Sequence, residues 1–144
     1  MIYTNSDGGS RGNPGPGAIG VIIREDGTIL KKERKFIGEQ VTNNVAEYNA
    51  LILALELASE FTTQEITCLI DSELVVNQLL GEYKVKHPKM KELFLQVQKL
   101  QDNFEKVIYL HVTRNDRFQQ LADELVNDEL NRRGYNKKIY FRKR

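Results

Sequence analysis

The sequence predicts an α/β domain: a five-stranded mixed sheet in the order βββαβααβα, flanked by helices. Three observations carry that reading. Strand-like runs separated by turn signals fill the N-terminal part of the chain. Two short, nearly continuous apolar runs, "EITCLI" and "VIYLHV", follow later. Around them, apolar residues recur at helical spacing.

The elements follow in order. "MIYTNSD" reads as a strand, "AIGVIIRED" as a second, and Asp26-Gly27 as the hairpin turn into a third, "TILKKERKFI". Together they form an antiparallel meander with a polar outer face. Thr42 caps a helix from Asn43 to Phe61, whose stripe is Ala46, Ala50, Leu53, Ala54, Leu57 and Ala58. "EITCLI" ends at Asp71 and has the pattern of a strand covered on both faces. Ser72 caps the short helix "ELVVNQLL", stopped by Gly81, and Pro88 opens another helix to about Phe104. "VIYLHV" is the fifth strand, and Arg117–Arg133 is a last helix ended by Gly134. No repeat, low-complexity segment or linker divides the chain. The expected organisation is one domain, residues 1–134, and a basic tail, residues 135–144.

At 144 residues the chain is long enough to bury a core. No apolar run reaches membrane-spanning length, so no membrane partner is expected. Met1 leads straight into a strand, leaving no room for a secretory signal. Cys68, the single cysteine, excludes an internal disulfide and reads as a buried small hydrophobe. The expected location is cytoplasmic. A net charge of +1 hides an asymmetry: the last thirteen residues hold seven of the 21 basic side chains and none of the 20 acids. Either that tail helps to hold a polyanion or it is a solvated end.

A strand–helix–strand crossover places the fourth strand beside the first, and ligands bind beyond the carboxyl ends of such strands. Asp7 and Asp71 stand at those ends. Neighbouring strands lie about 4.8 Å apart, so the two carboxylates must share a proton or bind a cation. For either aspartate alone, capping of a loop or helix explains as much. Glu47 shifts the balance, because it lies between Ala46 and Ala50 on the buried side of its helix, where an unpaired acid is costly. Asp123 stands similarly among Leu121, Ala122, Leu125 and Val126, whereas Glu124, Asp128 and Glu129 read as solvated charges.

Asp7, Glu47, Asp71 and Asp123 resemble the acidic quartet of the type 1 ribonuclease H family. The segments "DGGSRGNPGP", "TNNVAEYNALILAL", "IDSELVVNQL" and "ADELVN" are similar to that family's signatures and in its order. The resemblance covers the chain to about Gly134 and implies a ribonuclease H-like fold. It also implies a metal-dependent endoribonuclease that cuts the RNA strand of RNA–DNA hybrids, leaving 5′-phosphate and 3′-hydroxyl ends. Carboxylate ligands suit Mg²⁺, with Mn²⁺ as a substitute, and not zinc or copper. By the resemblance two ions bind: Asp7 is shared, Asp71 and Glu47 hold one side, and Asp123 holds the other. A monomer is expected.

The loop "GGSRGNPGPG" lacks the Gly-Lys-Ser/Thr ending of a P-loop and leads into a strand. Its small residues allow close approach of a sugar–phosphate chain, with Gly8, Gly9 and Asn13 placed to contact ribose 2′-hydroxyls. It is equally a hairpin loop turning at Asn13-Pro14-Gly15. Asn43 and Asn44 read either as helix-opening residues or, by the resemblance, as hybrid contacts, with Thr42 in a pocket for a DNA phosphate.

The chain departs from the family pattern in three places. "GEYKVKHPKMKEL" is short and lacks tryptophan where well-known members carry a basic, aromatic protrusion. The loop before the final acid, "VTRNDRFQQLAD", has no His where many members carry one; of Arg114 and Arg117, the latter is favoured as a phosphate contact, with a plain surface arginine as the alternative. Glu73 stands where many members have Gln. His111 reads as a structural residue of the fifth strand. The rival function is a non-catalytic hybrid- or RNA-binding module on the same fold, which gains nothing from clustered anions facing phosphate. A different nuclease or transposase on the same sheet rests on fold analogy alone.

Overall fold

Three antiparallel strands open the chain: β1 (Ile2–Ser10), β2 (Gly15–Glu25) and β3 (Thr28–Val41). There follow α1 (Asn43–Ala58), β4 (Glu65–Ile70), α2 (Glu73–Leu79), α3 (Pro88–Gln101), β5 (Lys106–His111) and α4 (Arg117–Arg132). This computed structural model describes residues 1–136. The expected tail therefore lies outside the described residues except for Tyr135 and Asn136. Tyr135 stacks on Phe36 at 5.8 Å between ring centroids, and its hydroxyl donates to Glu39 at 2.8 Å.

The sheet order is β3-β2-β1-β4-β5, with β4 parallel to both β1 and β5. The element order is the expected one, and the ends are where local chemistry puts them. Asp26 takes a positive φ of 50° in the β2–β3 turn, a conformation Asp tolerates better than most residues. The Ser72 side chain accepts from the Val75 amide, and Gly81 and Gly134 adopt positive φ just beyond their helices. Two helices stop earlier than expected. α1 ends at Ala58, where Ser59 closes its last turn on Leu55, and α3 ends at Gln101, freeing Phe104 to turn into the core.

Helices α1 and α2 pack on one face of the sheet, with α3 against α1. There Val21, Ile23, Tyr48, Leu51, Leu55, Ile66 and Ile70 form the main core. Helix α4 covers the other face over β2, β1 and β3, with Ala18, Val126 and Leu130 as a second, smaller core. That helix overturns the expected polar outer face of the meander. Every residue of β2 up to Arg24 is buried, and the exposed charges lie on β3 and at Glu25, the last residue of β2. It also buries Glu129, expected to be solvated. Glu129 is 2 % exposed and is held by Arg34, Arg132 and Arg133.

Candidate active site

The parallel pairing of β1 with β4 stops at Ser6 opposite Ile70, so Asp7 and Asp71 are the first residues beyond it on each strand. Their adjacency is the expected one. β1 itself does not stop there. It continues alongside β2 to Ser10, so only Arg11–Pro14 remain as the loop that was expected to begin at Gly8. The glycines lengthen a strand because their lack of side chains admits a helix. A Cβ on Gly8 would lie 2.3 Å from the Ala46 carbonyl oxygen of α1. This close packing, rather than approach of a ligand, is what requires glycine at position 8.

Helix α1 enters with Thr42 as its cap, the Val45 amide donating to the Thr42 hydroxyl at 3.2 Å. One turn in, Glu47 points to β1, and the Gly8 amide donates to Glu47 Oε1 at 2.6 Å. Glu47 Oε2 is buried with no partner among the described residues. One carboxylate oxygen from each of Asp7, Glu47 and Asp71 lies within 4.8 Å of the others. Asp7 and Glu47 are each 7 % exposed, while Asp71 is half-buried.

Three like charges so placed resist ionisation. Burial, then the Glu47 charge, pushes the Asp7 carboxyl up to about 11, and burial pushes Glu47 up to about 8. Burial also raises Asp71, against the pull of the Arg114 guanidinium. A proton shared between Asp7 and Glu47, or a cation, relieves the cluster. The orphaned Glu47 oxygen and an all-carboxylate donor set fit a hard divalent cation.

Asp123 comes from the opposite face. Asp116 caps α4 by accepting from the Phe118 and Gln119 amides at 3.0 and 2.9 Å. The helix then settles on Gly20, the ladder partner of Asp7, and brings Asp123 to the rim of the same cleft. Asp123 is exposed, not buried as expected, because its carboxylate emerges where α4 passes the strand ends. It lies outside the tight group of three.

The cleft has a volume of about 460 Å³. Gly8, Gly9, Asn43 and Asn44 line it, as do all four acids. Asn13 and Thr42 do not; the Asn13 side chain instead accepts from the Asn43 amide at 3.0 Å. The Asn43 side chain accepts from the Ser10 amide at 3.0 Å, so the β1–β2 loop and the start of α1 are interlocked. The favoured arginine changes. Arg114 lines the cleft, whereas Arg117 packs its guanidinium 4.7 Å from the Phe118 ring. Arg117 itself is not among the cleft-lining residues. His111 is exposed, and its Nε2 lies 3.2 Å from the Asp71 carbonyl oxygen. Glu73 sits exposed in the first turn of α2.

Cleft residues that the sequence did not single out include Arg11 and Asn127. The available signal was the polar spacing of four on α4, Asp123, Asn127 and Asn131, which puts three groups in line on one helix face.

A family profile described as reverse transcriptase-like matches residues 5–129. A bifunctional protein of Mycobacterium tuberculosis is 40 % identical over 131 residues, covering 90 % of this chain and 35 % of that protein. Ribonuclease HI of Halobacterium salinarum is 39 % identical over 130 residues, 88 % of this chain and 65 % of its own length. The chain thus spans about a third of the first relative and just under two thirds of the second.

Among solved structures, the N-terminal RNase H domain of the M. tuberculosis protein superposes with a TM-score of 0.85. Its identity is 41 %, covering 91 % of this chain and 94 % of that one. A ribonuclease H1 isolated from compost, solved in complex with an RNA/DNA hybrid, gives a TM-score of 0.82. Its identity is 42 %, with coverage of 89 % and 95 %. With this fold, this cleft of acids and these relatives, the chain belongs to the type 1 ribonuclease H family.

Proposed function

We propose that this chain is a metal-dependent endoribonuclease that hydrolyses the RNA strand of RNA–DNA hybrids, leaving 5′-phosphate and 3′-hydroxyl ends. The observation that carries the reading is the convergence of Asp7, Glu47 and Asp71 within 4.8 Å, one buried oxygen of Glu47 having no partner among the described residues. The complex of a similar ribonuclease H1 with an RNA/DNA hybrid supports the substrate class.

Asp7, Glu47, Asp71 and Asp123 would hold two Mg²⁺ ions, for which Mn²⁺ can substitute. Such ions, when bound, lower the pKa of an attacking water and stabilise the leaving oxygen. The chain's own contribution is positioning. The Gly8 amide fixes one oxygen of Glu47, leaving the other directed to the cluster. Burial of Asp7 withholds it from bulk water, which strengthens its interaction with any cation. Arg114, at the cleft wall near Asp71, offers a cation to a backbone phosphate. Gly9, Asn43 and Asn44 present polar and backbone groups to the sugar edge of the RNA strand, where the 2′-hydroxyl distinguishes it from DNA. The basic tail adds charge for the polyanion, and a cytoplasmic monomer is the working form. Among the described residues, no helix is long and apolar enough to cross a membrane.

The test is cleavage of an end-labelled hybrid in Mg²⁺ beside single-stranded RNA, double-stranded RNA and DNA duplex, with Asp7→Asn as control. Selective cutting of the hybrid, lost in the variant, is the expected result. Hybrid binding without cutting in either Mg²⁺ or Mn²⁺ would instead favour a binding module.

A further inference from the structure

Arg11 is 3 % exposed, yet it occurs in a four-residue loop between two strands. Its guanidinium reaches α4, where Nη2 donates to Asn127 Oδ1 at 3.0 Å and to Asn131 Oδ1 at 3.4 Å. Asn127 in turn donates from Nδ2 to Asp123 Oδ2 at 3.3 Å. The order of this chain is fixed by chemistry. A guanidinium has only donors, so it can accept no hydrogen bond and must face the amide oxygen of Asn127. The amide nitrogen is then turned towards Asp123. With the amide flipped, Asn127 would present NH₂ to the guanidinium and an oxygen to the carboxylate, two repulsive contacts in place of two attractive ones.

Asp123 needs such a fixture more than Asp7 or Glu47. It is exposed, while Asp7 and Glu47 are buried and Glu47 has the Gly8 amide. Burial of Arg11 costs part of its hydration, and the nearby Asp123 charge helps to offset that. The opposite ends of the relay thus support each other: the buried cation sets the amide, and the amide sets the carboxylate.

We propose that Arg11 is a positioning residue that fixes the Asn127 amide and through it holds Asp123 in the orientation that binds a divalent cation. The inference rests on the metal-dependent reading of the site. It makes Arg11 part of the metal's supporting shell, although the residue lies in a loop that reads as a simple hairpin connection. Groups that hydrogen-bond a ligating carboxylate typically change metal affinity by about 10- to 100-fold when removed, and a residue one step further out is expected near the lower end.

The experiment is calorimetric titration of Mn²⁺, without nucleic acid, into the wild type, Arg11→Met, Asn127→Leu and the double variant, with urea unfolding of each alongside. Mn²⁺ affinity is expected to fall about tenfold in either single variant and no further in the double, because both break one relay. Unchanged affinity in folded Arg11→Met, or losses that multiply in the double variant, would overturn the proposal. Should Arg11→Met fail to fold, the side-chain amide resonances of Asn127 in the wild type decide. They are expected to shift in Asp123→Asn; signals that do not respond would overturn it. Hybrid cleavage by the wild type, measured in parallel, separates the two readings. Intact cleavage with unaltered metal binding in the variants refutes the relay alone, and absent Mn²⁺ binding in the wild type refutes the metal-dependent reading beneath it.

Discussion

Asp7 and Gly20 are partners across the β1–β2 ladder, and the space a side chain at position 20 would fill is occupied by the Ala122 carbonyl of α4. A Cβ on Gly20 would lie 2.4 Å from that oxygen and 2.8 Å from Leu125 Cβ. One missing side chain therefore sets how near Asp123 comes to Asp7.

Gly20→Ala must push α4 away from the sheet. The cost is expected to be about 1–3 kcal/mol, typical of overpacking. Mn²⁺ affinity should fall with it, because Asp123 moves with the helix. Urea unfolding and calorimetric titration of the same preparation check both effects; an unchanged midpoint would mean that the helix yields without strain.

The carboxylate cluster makes stability depend on pH in an unusual direction. Asp7 rises from 3.8 to about 11 and Glu47 from 4.5 to about 8, so the folded state holds protons that the unfolded chain has released. Stability of the metal-free protein is therefore fullest below the ordinary carboxylate values. It should decline as pH rises, through about 8 for Glu47 and towards about 11 for Asp7. Urea midpoints measured between about pH 5 and about pH 8 should fall in EDTA and flatten in Mg²⁺.

Asp7→Asn removes one charge from that cluster. The variant is expected to be inactive yet more stable than the wild type in EDTA at neutral pH, with a shallower pH slope. A wild-type slope retained in full would show that other groups are responsible for it.

Glu129 joins Arg34 at 3.4 Å, Arg132 at 3.2 Å and Arg133 at 2.7 Å while almost fully buried. Its partners are partly exposed and keep much of their hydration when it is lost, so the effect is moderate. Glu129→Ala is expected to cost about 1–3 kcal/mol. Cleavage rates at saturating Mg²⁺ should hold. Denaturant unfolding and a hybrid assay separate the two quantities.

Cys68 is fully buried in β4, and burial pushes its thiol up to about 12. It should resist alkylation in the native protein and react at once in urea. Rapid native labelling would mean that β4 opens locally.

Much of this was legible because the signals were local or topological. Strand–helix–strand order brings Asp7 beside Asp71, and an acid between Ala46 and Ala50 has to face inward. The failures share a cause. Glycines at 8 and 9 carry no side-chain alternation, so the continuation of β1 to Ser10 left no trace in the pattern. Helix α4 packs through a narrow contact on Gly20 and Ala18, too small an apolar stripe to announce that β2 is covered twice or that Glu129 is buried. The burial of Arg11 within its loop went unseen because its partners lie more than a hundred positions away.

The sheet changes width at Ser6: β1 runs on with β2, but β4 has ended. On the vacated side, the Gly8 and Ser10 amides would lack acceptors, and they find them in Glu47 and Asn43 of α1. Two side chains thus take the place of a missing strand. The helix is stitched to the sheet by backbone donors that cannot be removed by changing side chains on β1. Its register against Asp7 is secured by the same bonds that finish the sheet, so disturbing the cleft at this corner means leaving main-chain amides unmet.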